Sequence, residues 1–330
     1  MIAAWDWDLP RETSSQQRDL VEFAADCGFD TLVVRDPTEA MVEVGEERGV
    51  RLVAVIDARP DETFRDAHPE CLQRIHPVED AILEAVDTHG PTDLDYWHLA
   101  HRQYPQVHDT EFLCLEREAS LEYLEEQVRE ALEISDGVAF DGFGYRNHYA
   151  CFCEVCERTR ARRAAESQRD GHGGRKTEHD YSLENLQAHS EETLVSASKR
   201  LSEHATSVMP SALVTNHVWP PFAPNPSYGH RLHLEYCTQT VSWFYRPVWS
   251  LERVEFEAAE HARLARQSEV NTFVPFIGLF DDPYHRRTGE RVKRELEIGL
   301  EYGDENVVLC TLGLLREDPS VEAAVRDALR

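Results

Sequence analysis

Apolar, β-branched runs alternate with stretches of helical period along the whole chain. Eight runs read as strands: Ile2–Asp8, Phe29–Arg35, Arg51–Asp57, Gly137–Gly144, Ala212–Trp219, Thr240–Tyr245, Thr272–Phe280 and Val307–Gly313. Between them lie amphipathic stripes, for example Leu20, Phe23, Ala24 and Cys27, and again Leu121, Leu124, Val128 and Leu132. Asp36-Pro37-Thr38-Glu39 follows the second run with a capping residue, a proline for the first turn and a glutamate three residues on. Asp318-Pro319 repeats the cap and proline after the last run. Strand and capped helix in eight rounds predict a (β/α)8 TIM barrel occupying residues 1–330 as one domain. A doubly wound open sheet is the competing architecture, but no G-x-G-x-x-G follows the first run.

Two segments break the rhythm. Residues 58–118 form a long insertion after the third strand, rich in His, Asp, Pro and aromatics, which a barrel would carry on its active-site face. Residues 168–181, with Gly171-His-Gly-Gly-Arg-Lys-Thr, lack any apolar period and are expected to be an exposed polar loop.

Charge changes this picture more than overall composition does. Hydrophobic residues make up 41% of the chain, enough for a full core, yet 62 acidic residues against 34 basic ones leave a net charge of −28. The lysines are Lys176, Lys199 and Lys293 alone, so 34 less 3 leaves 31 arginines. An acidic, lysine-poor surface on an ordinary core is the pattern of proteins from salt-loving archaea, where concentrated salt screens the self-repulsion. The same acidity argues against nucleic acid or an anionic membrane as a partner. The amino-terminal stretch has neither a basic start nor a long apolar run, and the cysteines do not read as a disulfide framework. A cytoplasmic protein is expected, with homo-oligomerisation left open.

Barrel chemistry sits where strands end. Those ends carry Asp6 and Asp8, Arg35 and Asp36, Asp57, Asp141, Asn216 and His217, Tyr245 and Arg246, and Asp281 with Asp282. Asp6 and Asp8 are two apart, so they share a strand face and are expected at the barrel mouth. Crowded carboxylates suit acid/base work, because one is pushed up while another stays ionised. Asp36 and Asp57 read instead as a helix cap or a solvated charge. Asp141, closing Val138-Ala-Phe140 and followed by a glycine, is the leading catalytic candidate.

Ten residues beyond Asp141, Cys151, Cys153 and Cys156 form a C-x-C-x-x-C cluster. In a chain expected to be intracellular this reads as a metal clip. Structural Zn2+ takes four ligands, and Cys114 is the best fourth candidate, with His148 in reserve. The six tryptophans also gather at strand ends and loops. Trp5, Trp7, Trp219, Trp243 and Trp249 belong to the first, fifth and sixth strands or their exits, and Trp97 to the long insertion. Indole faces suit sugar rings, and Trp219-Pro-Pro-Phe222 would form a stiff lip.

The order of Cys114, an amphipathic helix, a strand ending in an acid and then the cysteine cluster resembles the family 42 β-galactosidases and related barrel families described as hypothetical glycosyl hydrolases. Asp136-Gly-Val-Ala-Phe-Asp141 is similar to the D-G-I-x-x-D strand of the latter. The likeness runs from Cys114 to Cys156. It implies a structural zinc on Cys114, Cys151, Cys153 and Cys156, and it puts Asp141 near the acid/base position. That family has a glutamate there after an asparagine, where this chain has Phe140-Asp141. It also has a glutamate nucleophile on the seventh strand, where Phe273-Val-Pro-Phe-Ile-Gly-Leu-Phe280 has none; the nearest acids are Glu269, Asp281 and Asp282.

These readings converge on a divergent glycoside-hydrolase-like barrel acting on a carbohydrate. Asp141 would be the proton donor, Asp8 or Asp281 the second carboxylate, and Asp6, Trp7, Asn216, His217, Trp219, Trp243, Tyr245 and Arg246 the substrate-binding set. Carboxyls about 5 Å apart would imply retention of configuration, and a gap of about 6.5–9.5 Å inversion. Two alternatives stand beside it. One is a non-catalytic carbohydrate-binding barrel that has lost the nucleophile; the other is a metal-dependent hydrolase using Asp6, Asp8, His217 and Asp281. The charge balance makes its own prediction. Melting curves at low and multimolar KCl should show stability rising with salt, and an unchanged midpoint would remove the salt-adaptation reading.

Overall fold

A computed structural model describes residues 1–7, 9, 11–77, 111–147, 149–169, 183–218, 226–242, 249–279 and 287–330. Eight parallel strands close on one another in sequence order: β1 Ile2–Asp6, β2 Thr31–Val34, β3 Arg51–Asp57, β4 Gly137–Asp141, β5 Leu213–Val218, β6 Tyr236–Ser242, β7 Thr272–Gly278 and β8 Val307–Cys310. The helices follow as α1 Ser14–Cys27, α2 Glu39–Arg48, α3 Glu62–Ala67, α4 Glu118–Ala131, α5 Glu154–Arg169, α6 Leu183–Val208, α7 Leu251–Ser268, α8 Gly289–Tyr302, α9 Leu312–Glu317 and α10 Pro319–Ala328. This is the expected (β/α)8 barrel, with its long insertion between β3 and β4. No helix among the described residues is long and apolar enough to cross a membrane.

Strand alternation sorts the side chains into two layers. Ala3, Trp5, Val33, Val53, Ala139, Leu213, Val274, Phe276, Val308 and Cys310 fill the inside of the barrel. The intervening residues face the helices. Ala4, Leu32, Val34 and Leu309 pack with α1, α2, α7, α8 and α10, while Val138, Phe140, Val214 and Val218 pack with α4 and α6. Such burial on both faces is why the strands stand out as apolar runs.

Three expectations need correction. β6 begins at Tyr236, four residues before the apolar run, because the buried but polar Thr238 and Gln239 interrupt the hydrophobic signal. α2 is capped by Thr38, whose hydroxyl accepts the Met41 N–H, and Asp36 lies in the left-handed region at φ 48°. Among the described residues, β5 and β6 are joined by a 3-10 segment, Pro226–Arg231, in place of an α-helix. Pro226 stands at its first position, where the missing N–H costs no intrahelical bond. By contrast Asp318 caps α10 with Pro319 at its start, as expected, and β4 ends where Gly142 turns to φ 61°.

A buried ion pair knits the ends of β6 and β7 to α8. Glu295, fully buried, lies 3.1 Å from Nε of Arg287 and 2.7 Å from Nε of Arg291. Arg287 donates onward to the Ser242 hydroxyl at 2.8 Å and to the Gly278 carbonyl. Burial pulls the Arg287 guanidinium below its ordinary value, and Glu295 acts to restore it. Replacing Glu295 by alanine should therefore destabilise the fold by about 3–5 kcal/mol, since it strands a buried cation. Denaturant unfolding measures this, and a cost below about 1 kcal/mol would mean that the pair is replaced by solvent.

Candidate functional site

The inward-facing positions at the carboxyl ends of β2 to β5 bring together Arg35, Asp57, Asp141 and His217. Asp57 and Asp141 are register partners on neighbouring strands. Arg59, two residues beyond β3, folds back so that its Nε donates to Asp57 Oδ1 at 2.7 Å, while its Nη2 reaches Asp141 Oδ2 at 3.4 Å. Arg35 Nη2 lies 3.0 Å from Asp57 Oδ2 and 3.9 Å from Asp141 Oδ2. Two carboxylates and two guanidiniums thus form one interlocked group. The Ala58 N–H donating to the Asp141 carbonyl at 2.9 Å fixes the turn that carries Arg59.

His217 closes the other side of Asp141. Its Nδ1 stands 3.9 Å from Asp141 Oδ1, an ion-pair distance rather than a hydrogen bond. Its Nε2 is 2.9 Å from the Thr240 hydroxyl on β6, and the imidazole stacks on Phe276 with centroids 3.9 Å apart. Trp5 packs against both rings and meets Trp7 edge-on at 5.9 Å. Burial would raise the Asp141 carboxyl, but His217, Arg59 and the Gly142 N–H together hold it below its ordinary value. Asp141 is therefore an ionised, partly desolvated carboxylate at neutral pH, able to accept a proton or stabilise positive charge.

The structure separates the other expected site residues. Asp6 is fully buried and shares the helix-facing side of the sheet with its register partner Val34; its Oδ2 accepts the Leu9 N–H at 3.2 Å. Asn216 likewise pairs in register with the outward-facing Phe140. Neither joins Asp141 at the mouth. Trp5 is barrel core, and Trp249 packs on the outer layer with the Arg253 guanidinium 3.8 Å above its ring. Asp8, Asp281, Asp282, His148, Trp97, Trp219, Trp243, Tyr245 and Arg246 lie outside the described residues. Arg35, Asp57, Arg59 and Thr240 were not in the expected set. Asp57 is no helix cap; counting by twos from the inward Val53 would have placed it beside Asp141.

A second constellation lies in the outer layer that packs with β4, α4 and α6. Cys114, Cys151, Cys153 and Cys156 are all buried, with their four sulfurs within 4.8 Å of one another. Cys114 Sγ is 3.6 Å from Cys153 Sγ and 3.5 Å from Cys156 Sγ. These gaps are far too long for disulfides but close to the ~3.8 Å that tetrahedral thiolates around a metal ion require. Backbone N–H groups of Arg74 and Cys153 point at Cys151 Sγ, each at 3.4 Å. Burial alone would lower Arg117, but Cys153 and Cys114 beside it hold its guanidinium above the ordinary value. Donors and a cation around four sulfurs suit a thiolate cluster that could bind a metal. Gln73 stitches the region together, donating to the carbonyls of Leu113 and Gly144 and accepting from the Arg146 N–H.

No protein-family model matches the chain, and no curated protein matches it in sequence. Solved structures do match in fold, and glycoside hydrolases are among them. A β-galactosidase from Bacillus circulans sp. alkalophilus aligns with TM-score 0.63 and 10% identity, covering 99% of this chain and 55% of that one. The polyextremophilic β-galactosidase of the Antarctic haloarchaeon Halorubrum lacusprofundi gives 0.61 and 12%, covering 94% and 52%. An α-L-fucosidase isoenzyme from Paenibacillus thiaminolyticus gives 0.55 and 15%, covering 99% and 48%. The chain spans about half the length of these proteins.

Metal analysis tests the cysteine cluster directly. The protein as purified should carry about one tightly held metal ion per chain. Cys153→Ser, or a strong chelator, should release it and lower the melting midpoint by several degrees. Full retention of the midpoint in metal-free protein would show that the cluster stands without an ion.

Proposed function

We propose that the chain is a glycoside-hydrolase-like barrel that binds a carbohydrate at the mouth around Asp141 and cleaves a glycosidic bond by carboxylate chemistry, with a structural zinc on Cys114, Cys151, Cys153 and Cys156. The observation that carries this reading is the desolvated Asp141 carboxylate at the end of β4, held ionised by His217 and Arg59. Four thiolates leave no open position, so the zinc would brace loops and take no part in the reaction.

The charge state refines the roles. A proton donor needs a raised carboxyl, whereas the surroundings of Asp141 lower it. In this reading Asp141 is the nucleophile or base, departing from the donor role that the family resemblance implies. The donor is then the second carboxylate, for which Asp8 and Asp281 remain the candidates. Arg59 and Arg35 orient Asp141 and Asp57, and Trp7, partly exposed beside Trp5, offers an indole edge to a sugar.

One observation favours the alternative of a carbohydrate-binding barrel without catalysis. The described end of β7, Phe276-Ile-Gly278, carries no carboxylate, and Asp57, the register partner of Asp141, is itself tied to two arginines. The metal-dependent hydrolase reading loses Asp6 from its ligand set, since that residue faces the helices.

Turnover of a panel of nitrophenyl glycosides in multimolar KCl decides between the first two. Asp141→Asn should lower kcat by about a thousandfold or more with little change in the melting midpoint. The acid limb of the wild-type pH profile should lie below the ordinary aspartate value of about 3.9, because a carboxyl lowered in the folded protein stays ionised until the pH falls through that lowered value. Undiminished turnover in Asp141→Asn would overturn the assignment. Sugar binding by both proteins without turnover would establish the binding barrel.

A further inference from the structure

The insertion after β3 begins with α3 and a tight 3-10 turn, Pro69–Cys71, before the chain reaches Leu72. This turn gathers three different donor types. His68 Nδ1 lies 3.3 Å from Glu70 Oε1, and ligand atoms of His68, Glu70 and Cys71 all fall within 4.8 Å of one another. We propose that His68, Glu70 and Cys71 form a second metal site, taking a borderline divalent cation of the Zn2+ type, separate from the four-thiol cluster. This site stands independently of the hydrolase reading.

The donor set decides the class of ion. Imidazole, carboxylate and thiolate together match Zn2+ or Co2+, and a thiolate disfavours the hard cations Mg2+ and Ca2+. Around a tetrahedral ion, nitrogen and oxygen ligands at about 2.0–2.1 Å and sulfur at about 2.3 Å stand some 3.3–3.8 Å apart. The His68–Glu70 pair already has that spacing at 3.3 Å, and the Cys71 sulfur lies within 4.8 Å of both. Three protein ligands leave the fourth position to water, which makes the ion exchangeable, unlike one enclosed by four thiolates.

The turn is also held ready. The His68 ring packs on Phe64 with centroids 4.7 Å apart, and Phe64 packs in turn on Tyr123 of α4 at 4.2 Å. The His68 N–H donates to the Phe64 carbonyl at 2.8 Å, and the Cys71 N–H to the His68 carbonyl at 2.9 Å. The Cys71 carbonyl accepts from the Cys114 N–H at 2.7 Å and from the Ser120 hydroxyl at 3.4 Å. Both ends of the three-residue ligand run are thus fixed before any ion arrives. His68 is half-buried and Glu70 exposed while Cys71 is buried, so an ion would enter from the side of Glu70. Arg117 lies near both clusters and acts on Glu70 as well as on Cys153 and Cys114.

Cobalt titration of the protein as purified, with its tight site filled, tests the assignment. Wild type should take up one further equivalent of Co2+, giving the visible bands of a tetrahedral ion and a thiolate-to-cobalt charge-transfer band. His68→Ala, at a half-buried position, should weaken that uptake by roughly tenfold or more, with a thermal melt confirming that it folds. Cys71→Ser should abolish the charge-transfer band, with a thermal melt confirming that it folds. Wild type taking up no further cobalt would overturn the proposal. So would an additional equivalent indifferent to His68→Ala, or one that keeps its charge-transfer band in a folded Cys71→Ser protein.

Discussion

The two-residue alternation of a closed parallel barrel is the constraint on which the rest depends. On each strand it allows only every second side chain to reach the axis, and the register between strands then fixes which of these sit side by side. Trp5, Val33, Val53, Ala139 and Leu213 set the inward phase on the first five strands. Arg35, Asp57, Asp141 and His217 are in that phase, one or two steps farther toward the mouth. The residues between them, Asp6 and Asn216 among them, are directed to the helix layer however close they stand in sequence. Every contact of Asp141 with His217 and the two arginines follows from this phase together with the return of the chain at Arg59.

How much of this was legible in the sequence follows from the same rule. The eight strands could be read because strands covered on both faces are apolar throughout, and the start displaced farthest, on β6, falls where Thr238 and Gln239 are buried despite their polarity. Asp141, His217 and the cysteine cluster could be read from type and spacing. Arg59 could not, since its partner Asp141 lies 82 residues away and no local pattern announces the meeting. Asp57 becomes legible only when the phase is counted from Val53, because standing at a strand end does not fix which face a side chain takes. The same count turns Asp6 and Asn216 away from the mouth. The cap at Thr38 is hidden because Asp36 and Pro37 imitate a helix start two residues too early.

The skew of 31 arginines to 3 lysines, read first as a mark of salt adaptation, has a second meaning inside the fold. The interlocked groups described above use arginine: Arg35 and Arg59 with Asp57 and Asp141, and Arg287 and Arg291 with Glu295. A planar guanidinium can serve two carboxylates at once, as Arg59 does, and stays charged when partly buried, where a lysine would tend to lose its proton. Among the described residues, the group around Asp141 consequently sets two guanidiniums against two carboxylates in a chain of net charge −28. Short, partly buried pairs are also screened far less than the exposed carboxylates around them.

The four buried sulfurs also act on the topology of the chain. Cys114 and Cys156 are 42 residues apart, and the segment between them contains α4, β4 and the turn at Gly142. An ion bridging them would close that segment into a ring. By the loop-closure relation for a cross-link, a ring of this size removes about 4 kcal/mol of disorder from the unfolded chain. Asp141 lies within the ring, so the strand that presents it would remain tethered near its native neighbours even when the outer helices have come away.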